Sequence, residues 1–170
     1  MKNKFISALK SVFQALLVFA VAAFIMDWWR KPTEPAQAAS QPLTMLDGSR
    51  RTLADISRER TAVVYFWGSW CGICRYTSPA VEDLRRDGIP VASIALSSGS
   101  DAEIARYMKQ RGLGFPAVND ADGQIARQWD VAVTPTVILV KQGKMVHHTT
   151  GISSYWGLRS RIWLADLAGV

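Results

Sequence analysis

The chain has 170 residues, 49% of them apolar and 20% charged, which suits one compact domain with an appendage. Its formal charge is +6, yet Lys2, Lys4, Lys10, Arg30 and Lys31 face only Asp27 within residues 1–31, so most of the excess flanks the N-terminal segment. That distribution argues against a nucleic-acid binder, which would carry its positive charge on the folded domain, and two cysteines, Cys71 and Cys74, are too few and too close for a secreted disulfide scaffold.

Ser11 to Met26 contains no charged residue and is followed by Trp28, Trp29, Arg30 and Lys31. A bilayer core needs about 20 apolar helical residues. Ile6 to Trp29 reaches that length if Lys10 snorkels and the tryptophans sit at the interface. Residues 1–30 are therefore expected to form a single-pass anchor with a cytoplasmic N-terminus. The rest of the chain would then face a bacterial periplasm from the inner membrane. The competing reading is a cleaved signal peptide, because Ala36-Gln37-Ala38 resembles a cleavage site; a mature chain beginning near Ala39 would establish it. Residues 31–42, rich in Pro, Ala and Gln, read as an extended tether, and 43–170 as the folded domain.

Within that domain, Leu43 to Leu46 is a short strand candidate ending in the turn signal Asp47-Gly48. Thr61 to Trp67 is a continuous apolar and β-branched run, the pattern of a strand buried on both faces. Cys71 to Asp87 reads as a helix stopped by Gly88 and Pro90, with Pro79 expected to kink it. Val91 to Leu96 is a second buried strand. Asp101 to Gln110 is a helix with Ser100 or Asp101 as N-cap and Gly112 as terminator. Phe115 to Val118 is short and extended, and Gly123 to Trp129 a brief helix. Asp120 to Gly123 fails the calcium-loop pattern and reads as a turn. Thr136 to Val140 and Lys144 to Thr149 form a hairpin through Gln142-Gly143, and Ser153 to Leu167 is a closing helix. Strands alternating with helices and ending in a hairpin predict an α/β fold with a mixed central sheet flanked by helices.

Cys71 falls where a buried strand gives way to a helix. Unpaired amides and the positive dipole end there favour an anion, so its thiolate should form more readily than that of a free cysteine. Cys74 lies three residues on, within disulfide reach. Cys71 is expected to attack a partner disulfide, and Cys74 to resolve the mixed disulfide that results. Trp70 would shield one flank of the sulfur, and Gly72 and Ile73 separate the pair. Thr134-Pro135 before a β-run fits a cis bond in a tight turn, where backbone beside the cysteines could pair with an extended substrate segment. A zinc site lacks a second cysteine pair, and the adjacent His147 and His148 point to opposite faces of an extended segment. No metal and no cofactor is expected.

These motifs, Phe66-Trp67-Gly68-Ser69-Trp70-Cys71-Gly72-Ile73-Cys74, Pro79 and Val133-Thr134-Pro135-Thr136, resemble the thioredoxin superfamily over about Leu43 to Leu167. With the N-terminal anchor and the extra segment Ser98 to Val118, the chain looks like the membrane-anchored periplasmic branch. That branch includes the suppressor-of-copper-sensitivity thioredoxin-like proteins and the TlpA-like and cytochrome c maturation disulfide reductases. The resemblance implies a thioredoxin fold and a protein-disulfide oxidoreductase. It also implies exported disulfide-containing substrates and a transmembrane thiol-reductase as electron donor. Two positions depart from the pattern. Tyr65 stands where thioredoxin has a buried Asp, and Thr77 where cytochrome c maturation proteins have a Glu. Thr77 favours the copper-stress type over apocytochrome reduction. Gly72-Ile73, without a histidine, leans toward a reductant or isomerase. A different class of reading is a tethered Cu(I)-binding module using the two thiolates; two sulfurs without nearby Met or further Cys make a poor carrier.

Overall fold

The run from Ala62 to Trp67 forms the central strand β3, every residue of it buried. Successive side chains of a strand point to opposite faces, and here both faces are covered. Val63, Tyr65 and Trp67 enter one core with Val81, Leu84, Ile104, Leu158 and Ile162. Val64 and Phe66 enter the other with Ile94, Ala126, Trp129 and Ile138. This double burial is why the run reads as continuously apolar, and each large side chain so buried contributes about 1.5–3 kcal/mol.

This computed structural model describes residues 10, 13, 14, 17, 18, 21 and 31–167. The chain divides into units 1–31 and 32–170. The expected anchor falls largely outside the described residues, among which no helix is long and apolar enough to cross a membrane. In the second unit, β1 (Leu43–Thr44) pairs antiparallel with β2 (Arg50–Arg51), and α1 (Leu53–Ile56) follows. The main sheet contains β3, β4 (Val91–Leu96), β5 (Ala117–Asp120), β6 (Thr136–Lys141) and β7 (Lys144–Thr150) in the order β5-β4-β3-β6-β7. β3, β4 and β5 are mutually parallel, while β6 runs antiparallel to β3 and β7 antiparallel to β6. The remaining helices are α2 (Cys74–Arg86), α3 (Asp101–Gln110), α4 (Gln124–Gln128) and α5 (Tyr155–Leu167). This is the mixed α/β, thioredoxin-like arrangement that the motifs imply.

Local signals account for most boundaries. Ser100 and Glu103 form a reciprocal capping box at the start of α3. The Asp120 carboxylate accepts from the Ile125 and Ala126 amides at 3.0 and 2.9 Å, so it caps α4, and the neighbouring Gly123 turns at φ +73°. β2 and α1 go beyond the sequence expectation; each is too short to show a period.

Two expectations change. Residues 31–42 do not form a free tether, because from Thr33 on they lie along the domain. The Thr33 amide donates to Trp129 O at 3.0 Å, the Ala54 amide donates to Ala39 O at 2.9 Å, and Ala38 is buried. The Glu34 carboxylate accepts from the Met145 amide at 2.7 Å on the edge strand β7. A proline- and alanine-rich segment has few donors of its own to satisfy and can lie against a sheet edge, blunting it. The second change is that α2 begins at Cys74, not at Cys71.

Candidate active site

β3 ends at Trp67, and residues 68–73 turn the chain into α2. The Cys71 amide donates to Gly68 O at 3.1 Å and the Tyr76 amide to Ile73 O at 3.0 Å. Ile73 is the N-cap and supplies no side-chain cap. The Cys74 amide is therefore left for another acceptor, and it points at Cys71 Sγ, 3.2 Å away. Cys71 thus reaches the helix N-terminus from the turn before it. The chemical consequence expected of the sequence survives the shift in helix boundary: an anion on this sulfur meets an N–H and the positive end of a helix dipole.

The two cysteines form a disulfide with Cα atoms 5.3 Å apart. They are not equivalent. Cys71 keeps 5% of its surface exposed and Cys74 none. The third wall comes from the loop before β6. The Thr134–Pro135 peptide is cis, and Thr134 O lies 3.6 Å from Cys71 Sγ. Thr136 Oγ1 donates to Val133 O at 2.8 Å, and Pro135 O accepts the Gly151 amide at 2.8 Å. Thr134, far from the cysteines in the chain, thus brings its carbonyl to Cys71 Sγ, and Pro135 follows it through the cis peptide.

The segment that carries Cys71 exposes large apolar side chains beside the charged Arg75. Trp70 is 59% exposed, Ile73 49%, Tyr76 71% and Ile152 68%. Gly72 is also exposed. Ile152 was not legible in the sequence. Its chain neighbours are tied to the elements of the site: the Gly151 amide bonds Pro135 O and the Ser153 amide bonds Thr77 Oγ1 at 3.2 Å. Trp70 is oriented by its indole N–H, which donates to Leu96 O at 3.0 Å.

The departures at Tyr65 and Thr77 acquire structural roles. Tyr65 is fully buried, and its hydroxyl and that of Ser78 share a 2.9 Å hydrogen bond. Burial pushes the Tyr65 phenol well above its ordinary value, against the weaker opposing effect of Ser78. The phenol stays neutral at physiological pH and supplies no carboxylate-like base to the sulfurs. Thr77, also buried, uses its hydroxyl to hold the segment that leads into α5.

Comparison with known proteins gives a consistent picture. A family model described as the AhpC/TSA family matches residues 33–149. A thioredoxin-like protein of Haemophilus influenzae is 40% identical over 95% of this chain and 96% of its own. The thiol-disulfide oxidoreductase ResA of Bacillus subtilis is 28% identical over 70% of this chain and 68% of its own. The crystal structure of StoA from Bacillus subtilis superposes with a TM-score of 0.63 at 20% identity, covering 74% of this chain and 98% of that one, a likeness of fold.

Proposed function

For a chain that belongs to the AhpC/TSA family and is a protein-disulfide oxidoreductase like its named relatives, we propose that Cys71 is the nucleophile and Cys74 the resolving cysteine of a disulfide reductase. The observation that carries this is the inequality of the pair: Cys71 has the accessible edge and the Cys74 amide, whereas Cys74 is closed off. In the reduced enzyme the Cys71 thiolate attacks one sulfur of a substrate disulfide. An S–S bond forms between Cys71 and the substrate, and the other substrate sulfur leaves as a thiolate. Cys74 then gives up its proton and attacks Cys71 Sγ, so the intramolecular disulfide forms and the second substrate sulfur leaves. Two electrons pass to the substrate, and the two thiolates take up two protons. Trp70, Gly72 and Ile73 on one side, with the Thr134 and Pro135 backbone on the other, provide a rim for an extended segment of a protein substrate.

We further infer that the domain faces a bacterial periplasm on an N-terminal anchor formed by residues 1–30. Its substrates would be disulfides of exported proteins formed under copper or oxidative stress, and a transmembrane thiol-reductase would restore the dithiol. The charge-free stretch from Ser11 to Met26, with Lys2, Lys4 and Lys10 ahead of it and Asp27, Trp28, Trp29, Arg30 and Lys31 after it, supports the anchor; a mature N-terminus near Ala39 would overturn it. In a deletion strain, growth is expected to fail in copper while c-type cytochromes stay at normal levels. Loss of the cytochromes would move the substrate to the haem-attachment route.

The direction of electron flow is tested by the reduction potential of the Cys71–Cys74 couple. With the uncharged Gly72-Ile73 pair between the sulfurs, it is expected nearer the about −270 mV of a thioredoxin than the about −120 mV of a strong oxidant. A value close to the latter would make the protein an oxidase.

A further inference from the structure

The turn that carries Trp70 and Cys71 is fastened to a second loop, the one between β4 and α3. Ser97 in that loop adopts φ +44°, a left-handed conformation that residues other than glycine seldom take. It is held there by its amide, which donates to Asp120 O at 3.0 Å, and by its hydroxyl, 3.4 Å from Ala121 O. The next residue, Ser98, is 7% exposed. Its hydroxyl donates to Leu96 O at 3.0 Å and accepts the Ser69 amide at 2.9 Å. Leu96 O is the same carbonyl that accepts the Trp70 indole N–H at 3.0 Å. The Ser69 hydroxyl closes the pattern with a long bond of 3.4 Å to Ser98 O. Gly68 lies against the same ring. A Cβ added there would stand 2.6 Å from Trp70 Cε2 and 2.7 Å from Nε1, so the ring occupies the space that any larger residue needs.

We propose that Ser98 is a positioning residue of the site: its buried hydroxyl fixes the Ser69–Trp70 segment, and with it the Trp70 ring and the approach of Cys71 to the Cys74 amide. This rests on the reading of Cys71 as the attacking sulfur. The hydrogen bonds of Ser98 go to Ser69 and Leu96, so it acts through its neighbours. Without the hydroxyl, the Ser69 amide loses its acceptor and the turn before Cys71 is free to relax. A sulfur displaced from its helix-terminal donor ionises less readily and attacks more slowly, and small misplacements are costly to rate. Gly68 belongs to the same device, since a side chain there would push the indole off its carbonyl.

The test uses the full chain with Ser98→Ala and, separately, Gly68→Ala, which leaves the Ser98 hydroxyl untouched. Folding is checked by circular dichroism. The readouts are kcat/KM for reduction of a protein disulfide and the pH at which the Cys71 thiolate appears by its ultraviolet absorbance. Both variants are expected to lower kcat/KM by about tenfold and to move the Cys71 titration to higher pH, a change that a purely structural role would not produce. A folded Ser98→Ala with wild-type kcat/KM and wild-type Cys71 titration would overturn the proposal, and if Ser98→Ala does not fold, Ser98→Gly, which also lacks the hydroxyl, is read in the same way; Gly68→Ala reports on the seat of the Trp70 ring. A wild-type protein that reduces no protein disulfide would instead overturn the reductase reading, while the Cys71 titration would still report on Ser98.

Discussion

Cys71→Ser is expected to abolish disulfide reduction, by at least about a thousandfold, whereas Cys74→Ser keeps the first chemical step and loses turnover. The asymmetry follows from where the two sulfurs sit. Cys71 is held in the turn ahead of α2 with an exposed edge and the Cys74 amide 3.2 Å away, while Cys74 is fully buried beneath it. A serine at 71 leaves an alkoxide precursor with a much higher pKa than a thiol and no comparable nucleophile. A serine at 74 leaves Cys71 able to attack but removes the sulfur that would release the substrate. The mixed disulfide on Cys71 should therefore accumulate in Cys74→Ser and be visible as a covalent adduct on a non-reducing gel. The same adduct, cut out and identified, names the substrate. An adduct that forms equally well in Cys71→Ser through Cys74, or full reductase activity in either variant, would remove the assigned division of roles.

The parts of this site that could be read from the sequence are those whose physics is local. The Thr61 to Trp67 run announces a doubly buried strand because its apolar and β-branched residues follow one another without a polar alternation. Ser100 or Asp101 announces a helix start because a short polar side chain there can accept a first-turn amide, and the structure selects Ser100, with Glu103 closing a capping box that goes beyond the sequence expectation. Thr134-Pro135 ahead of a β-run signals the cis turn that the structure shows. What could not be read depends on distant partners. Ser98 is a polar residue on a loop, with no period to mark it, and its importance lies in an amide 29 positions away. Residues 31–42 have the composition of a linker; Trp129, Met145 and Ala54, which lie outside the segment, give it a place to lie. The start of α2 lies three residues beyond the expected Cys71 because a helix N-terminus whose first amide meets a sulfur carries no Ser, Thr, Asp or Asn to mark it.

Glu82 is expected to matter next most, through stability. It lies on α2 a little over two turns beyond Cys74, and only 3% of it is exposed. Its carboxylate accepts Arg85 Nη2 at 2.8 Å, Arg86 Nε at 3.1 Å and the Gly114 amide at 2.8 Å, which ties α2 to the loop before β5. Burial by itself would raise the Glu82 carboxyl. The bonds from Arg85, Gly114 and Arg86 outweigh it and hold the group below its ordinary 4.5. Because the folded value lies below the unfolded one, this stabilisation is fully present above about pH 4.5 and is lost as pH falls through the folded value. The Arg85 and Arg86 side chains are 36% and 58% exposed, so solvent screens part of their attraction, and the stability they add is less than their short distances to the carboxylate would suggest. Glu82→Ala is therefore expected to lower stability near neutral pH by about 2–4 kcal/mol, since it empties the site and orphans the Gly114 amide. Glu82→Gln keeps an acceptor for that amide and should lose about half as much. Urea unfolding at neutral pH and again below pH 4 checks both size and sign. The wild type should lose its advantage over Glu82→Gln in acid, and curves that stay parallel across that range would show that the carboxylate charge is not what holds α2 to the loop.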